Sequence, residues 1–319
     1  MKVLVYGAGV IGTLLTHNLC AAGNDVSLLA RGQWAETLKK DGLRMHHWLQ
    51  RKDTLDRPEI ITAIDEAVHY DVVFTVMQYD QTVAIKDDLA RVWCDTLVMI
   101  GNQLSFDEMT DYIKDNSRYT KEILFGFIVA AGERKDGRVF SRHLGAGRLE
   151  LGCLYKETPD SVKKQIEGLF KGTKFKLTWN KEMSSFLACH PAFILPSFYL
   201  MISKDFDLKR VNRKERKIWK KATRECYDML KSIGYKVNPK GDDALFRSGL
   251  RGLVGSFMLF LCTKTSFGEM ILGAHGRHSV SEAVIMEQGW NRLMDKKPIG
   301  ITMPAFERLK LMCPKLAEM

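Results

Sequence analysis

Lys2-Val3-Leu4-Val5-Tyr6 runs straight into Gly7-Ala8-Gly9-Val10-Ile11-Gly12. This join of a short apolar run to spaced glycines decides how the first half of the chain folds. The run is too short for a buried helix and suits a strand covered on both faces. Gly7 permits a tight turn, Gly9 lets a pyrophosphate approach the backbone, and Gly12 lets the following helix pack closely on the strand. Val10 and Ile11 open that helix, where unpaired N–H groups and the helix dipole favour an anion. In this strand–turn–helix setting the glycine spacing points to dinucleotide binding.

Beyond this turn, short apolar runs alternate with helical patterns. Asp25 to Leu29, Asp71 to Met77, Thr96 to Ile100 and Glu122 to Ala130 read as further strands. Val10 to Ala22, Gln33 to Asp41, Asp80 to Val92 and Ser105 to Asp115 read as helices between them. That alternation predicts an α/β Rossmann-type parallel sheet domain. Arg138 to Gly152, split by Gly145-Ala146-Gly147, reads as a hairpin at the sheet edge. The second strand ends in Ala30-Arg31-Gly32 with no acid to take ribose hydroxyls, and an arginine there pairs with a 2′-phosphate, so NADP(H) is favoured over NAD(H). Beyond about Thr178 the texture becomes helical. Leu208, Val211, Ile218, Ala222, Cys226, Met229 and Ile233 keep helical spacing, with Gly234 as a stop. Leu245 to Met258, Ser281 to Met294 and Pro304 to Met312 also read as helices. The expected division is an NADP-binding domain over 1–178 and an all-helical C-terminal domain over 179–319, the latter for substrate and for a homodimer contact.

The 319 residues carry 48 Lys plus Arg against 38 Asp plus Glu, a net charge of +10, with 45% hydrophobic residues. The chain therefore buries a sizeable core, and its positive balance suits small anions as well as nucleic acid. The basic run Lys209 to Lys221 keeps apolar positions at helical spacing, which reads as a solvated helix face, so no nucleic acid is expected. Seven scattered cysteines without a CxxC argue against disulfides or structural zinc and fit a reducing compartment. His275 and His278 lack the rest of a metal motif, so no metal is expected. Phe186 to Ile202 is apolar but interrupted by His190, Pro191 and Pro196, which reads as a core helix and not a membrane span. With no export signal visible, the chain reads as cytoplasmic.

These residues resemble the ketopantoate reductase (2-dehydropantoate 2-reductase) family. The opening glycine turn, Ala30-Arg31-Gly32 and Lys39-Lys40-Asp41-Gly42-Leu43 carry the likeness, joined by Met77-Gln78-Tyr79-Asp80-Gln81-Thr82 where the family has a Lys-x-x-Gln element. Ile100-Gly101-Asn102-Gln103, Arg142-His143-Leu144-Gly145-Ala146-Gly147, Ser281-Glu282 and Ile299 to Pro304 extend it along the chain. The resemblance implies a cleft between a Rossmann domain and a helical domain, NADPH as hydride donor and a small 2-keto acid as substrate. It implies that Asn102 orients cofactor and substrate, that Glu282 holds the substrate hydroxyl, and that Gln78 stands at a cofactor contact. Placed acids and amides are what hydride addition needs, because it builds alkoxide charge on the substrate.

The sequence departs from the family at the proton donor. The family pattern Trp-x-Lys followed by Asn aligns either on Trp179, which offers Lys181, or on the helix from Met183 to Met201, which offers His190 and no lysine. Trp179 to Lys181 reads as a strand end and a turn, which favours the second alignment. His190 is then the donor, an imidazolium suiting proton transfer near neutrality; a hydrogen-bonded core histidine is the competing reading. Gln78 for Lys and Gln103 for Gly are further departures. The expected activity is therefore NADPH-dependent reduction of a small 2-keto acid with an altered catalytic acid; the alternative is a catalytically silent NADP(H)-binding sensor or regulator.

Overall fold

A computed structural model describes residues 1–102, 104–265, 268 and 280–313. The chain forms two compact units, one of residues 1–101 and 105–183, the other of 102–104 and 184–319.

In the first unit β1 (Lys2–Tyr6) leads to α1 (Val10–Ala21), β2 (Asp25–Leu29) and α2 (Gly32–Asp41). β3 (Leu43–His47), β4 (Lys52–Asp56) and β5 (Glu59–Ile61) follow, then β6 (His69–Val76). Next come α3 (Tyr79–Ala84), α4 (Lys86–Arg91), β7 (Trp93–Ile100), α5 (Phe106–Asn116) and β8 (Glu122–Ile128). β9 (Ala131–Lys135), β10 (Arg138–Arg142), β11 (Arg148–Gly152), α6 (Asp160–Leu169) and β12 (Lys176–Trp179) complete the unit. The main sheet has the order β12-β11-β8-β7-β6-β1-β2-β5, parallel except where β11 meets β8. β1 lies between β2 and β6, so strand order reverses there, and ligands of open α/β sheets bind beyond strand ends at such a point. Val3, Leu4, Val5, Leu28, Val72 and Phe74 are fully buried, as central parallel strands require.

Two expectations change. β10 and β11 form no hairpin: β10 joins a separate four-stranded sheet, β4-β3-β10-β9, while β11 pairs with β8 and β12 of the main sheet. The glycines at 145 and 147 carry the chain from one sheet to the other. The helix expected over 80–92 is two helices, with Ile85 at the break at φ −111°.

The small sheet is tied to α1 by three histidines. His47 is bonded to His143 at 2.9 Å and to the Thr54 hydroxyl at 2.9 Å, while His17 on α1 holds Asp56 at 2.7 Å. The His17 and His47 rings lie 4.9 Å apart between centroids.

The second unit is helical: α7 (Met183–Ser203), α8 (Arg213–Ser232), α9 (Leu250–Lys264), α10 (Val280–Asp295) and α11 (Pro304–Leu311), with short turns Leu208–Arg210 and Asp242–Phe246. The helix expected from Leu208 begins at Arg213 because Asn212 caps it, accepting from the Lys214 and Glu215 N–H groups while Glu215 returns a bond to the Asn212 N–H. It stops as expected before Gly234, at φ +98°. The 245–258 helix is likewise a short turn followed by α9. α7 is long and apolar enough to cross a membrane by length and composition, yet most of it is buried. Trp219, Trp290, Tyr199 and Phe306 fill the core around it. Lys209, Arg213, Lys214 and Lys217 of the basic run are exposed, while Val211, Glu215 and Trp219 are buried.

Burial, with help from His17, His143 and Lys52 and against the pull of Asp56, lowers the His47 pKa from 6.5 to about 4. Burial lowers His143 as well. A depressed histidine stabilises the fold fully above its unfolded pKa, and that contribution is lost as pH falls toward the folded one. Denaturant titrations are therefore expected to show unfolding free energy declining between pH 6.5 and 4, more gently in His47→Gln. A flat wild-type profile contradicts the assignment.

Candidate dinucleotide and catalytic sites

The glycine turn is built by close approach at two positions and left open at the third. Gly7 has φ +120°, and a β-carbon there would stand 2.3 Å from the Val76 carbonyl oxygen. A β-carbon on Gly12 would stand 1.8 Å from the Gly7 carbonyl oxygen. Gly9 has ordinary extended backbone, and a β-carbon there would meet nothing within 4 Å. No side chain caps α1 and no acid occupies its first turn, an arrangement that could receive an anion at the Val10 and Ile11 N–H groups. Open space over Gly9 and an uncapped helix end fit the pyrophosphate of a dinucleotide. Trp34 on α2 secures the turn from the side, its Nε1–H donating to the Ala8 carbonyl at 2.9 Å.

Arg31 sits at the start of α2 with its guanidinium 5.6 Å from the centre of the Tyr6 ring. It donates to the Tyr6 hydroxyl and lies 3.8 Å from Asp88 on α4. The Tyr6 hydroxyl in turn donates to Asp88 at 2.8 Å. Burial, then the Asp88 bond, raise the Tyr6 pKa, keeping that hydroxyl a donor. Gln78 is half-buried at the N-terminal cap of α3, its backbone carbonyl accepting from Thr82.

In the second unit Asn102 Nδ2 donates to Glu282 Oε1 at 2.7 Å, across 180 positions of sequence. Asn102 follows β7, and Glu282, 7% exposed, lies in the first turn of α10 where the helix dipole favours a carboxylate. His190 is half-buried on α7, between buried Cys189 and Ala192. Lys181 belongs to the first unit, in the turn after β12, exposed and paired with Glu157 at 3.1 Å. Gln103, His275 and His278 lie outside the described residues. The sequence reading missed Tyr6, Trp34 and Asp88. Tyr6 ends the apolar strand and Trp34 follows Arg31 by one helical turn, whereas Asp88 has no local signal.

A family model described as ketopantoate reductase PanE/ApbA matches residues 3–156. An uncharacterized oxidoreductase of Bacillus subtilis (strain 168), YkpB, is 42% identical over 73 residues, a stretch spanning 23% of this chain and 23% of that protein. The fold likeness runs the full length. A 2-dehydropantoate 2-reductase from Geobacter metallireducens GS-15 superposes with a TM-score of 0.72 at 16% identity, over 99% of each chain. A D-mandelate dehydrogenase solved with NADH and anilino(oxo)acetate superposes with a TM-score of 0.69 at 13% identity, over 100% of this chain and 98% of that one. The fold shared with these structures is a Rossmann-like sheet unit followed by a helical unit.

The glycine geometry separates folding from binding. Gly9→Ala is expected to keep stability within about 0.5 kcal/mol of the wild type while weakening dinucleotide binding at least about tenfold. Gly12→Ala is expected to destabilise the unit itself. Calorimetric melting and fluorescence titration of both variants check this, and equal stability in the two contradicts it.

Proposed function

We propose that the protein is an NADPH-dependent reductase of a small 2-keto acid, of the ketopantoate reductase type, with 2-dehydropantoate as the first substrate to test. The bond between Asn102 and Glu282 carries this reading. Two residues from opposite halves of the sequence, each expected to act on substrate, are brought into one hydrogen-bonded pair. When bound, the cofactor supplies the hydride. The Gly7–Gly12 turn would hold its pyrophosphate, Arg31 its 2′-phosphate and Gln78 the edge of its site. Asn102 orients the carbonyl, and Glu282 holds the hydroxyl that forms from it. The Lys181 ammonium is engaged by Glu157, so we assign the proton donor to His190, which delivers a proton to the carbonyl oxygen. The amide opposite Glu282 leaves its carboxylate charge to act on the hydroxyl, where a cation would neutralise it.

A soluble, cytoplasmic protein with no nucleic-acid or membrane partner fits this chemistry. The test is NADPH oxidation with 2-dehydropantoate and a panel of 2-keto acids. His190→Ala and Glu282→Gln are expected to lower kcat by about a hundredfold or more while leaving the NADPH Kd within about twofold. Unchanged turnover in His190→Ala removes that residue from the mechanism. Tight NADPH binding with no turnover on any keto acid favours the catalytically silent sensor instead.

A further inference from the structure

The acid that NAD(H) sites place at the end of the second strand is absent from the local sequence, where Arg31 stands instead. A carboxylate nonetheless reaches the same place from elsewhere. Asp88 comes from α4, beyond β6, and puts Oδ2 2.8 Å from the Tyr6 hydroxyl and 3.8 Å from Arg31 Nη2. It is held there from the other side, with Oδ1 accepting from Arg91 Nη2 at 3.0 Å, and Arg91 is itself braced by Glu66 at 3.2 Å. The Asp88 side chain keeps 28% of its surface exposed, against 62% for Arg31. The carboxylate is thus fixed in position and still open toward whatever approaches the arginine.

We infer that Asp88 sets the balance between NADPH and NADH, acting beside Arg31 as the acid that the end of β2 lacks and holding the preference for the 2′-phosphate below what the arginine alone would give. The inference rests on the reading of Arg31 as the 2′-phosphate partner. Its physical basis is simple. A 2′-phosphate is close to dianionic at neutral pH and must approach Arg31 past a second, fixed negative charge. The unphosphorylated ribose of NADH meets no such repulsion, and its hydroxyls have a carboxylate to donate to. Tyr6 bridges the two side chains, accepting from Arg31 and donating to Asp88, while Arg91, braced by Glu66, holds Asp88 in place independently of Tyr6.

The test is a pair of fluorescence titrations, NADPH and NADH, on wild type, Asp88→Asn and Tyr6→Phe. Asp88→Asn removes the charge at nearly constant shape and is expected to raise the ratio of the NADH Kd to the NADPH Kd about tenfold, chiefly through tighter NADPH. Tyr6→Phe keeps the charge and is expected to leave the ratio within about twofold. Asp88→Ser provides the same charge removal should the amide impair folding. A purely structural role for Asp88 moves both dissociation constants together and leaves the ratio unchanged, which overturns the inference, as does a ratio that falls. If wild type binds neither dinucleotide, the cofactor reading itself fails. If wild type binds and the ratio does not rise in Asp88→Asn, only the role of Asp88 fails.

Discussion

Gly12 lies so near Gly7 that a β-carbon on it would stand 1.8 Å from the Gly7 carbonyl oxygen, and the first unit depends on that approach. It presses α1 onto the end of β1 and aims the N-terminal end of the helix outward from the strand. β1 sits at the reversal of strand order, so the helix end opens where α/β sheets bind their ligands. Trp34, Tyr6, Arg31 and Asp88 all take their places relative to this one turn, by bonds to it or to the residue before it.

The turn and the central strands were legible because their signals are local: glycines at fixed spacing, and apolar runs bounded by polar residues. The small sheet was not. β3, β4 and β9 carry Arg44, Lys52, Asp53, Glu133 and Lys135, and their polar faces hide strand periodicity from a search for buried runs. The 138–152 segment read as one hairpin because a glycine pair between two strand-like runs has that signature, whether the chain folds back or crosses to another sheet. In the site, Arg31 was visible from its place after β2. Asn102 and Glu282 were visible through family resemblance, since no spacing rule links residues 180 apart. Asp88 lay beyond reach of sequence, brought to Arg31 by the crossover from β6 to β7.

The second unit uses buried carboxylates at helix starts repeatedly, and their partners differ in kind. Glu215 closes the start of α8 and is paired with Lys204 at 2.6 Å. Glu225 accepts from the Ala305 and Phe306 N–H groups at 2.8 and 3.0 Å, closing the start of α11. Both are held by donors that serve the fold. Glu282 also occupies a first turn, but a neutral side-chain amide meets it. An amide fixes a carboxylate without cancelling its charge, as the contact with a substrate hydroxyl that we propose for Glu282 requires.

Transfer of label from cofactor to product reports directly on whether the protein reduces a 2-keto acid. Incubating the protein with NADPH deuterated on the nicotinamide C4 and a 2-keto acid such as 2-dehydropantoate should yield the 2-hydroxy acid with deuterium on its carbinol carbon, detected by mass spectrometry. A panel of 2-keto acids that produces no labelled hydroxy acid, from a folded protein that binds NADPH, would contradict the account.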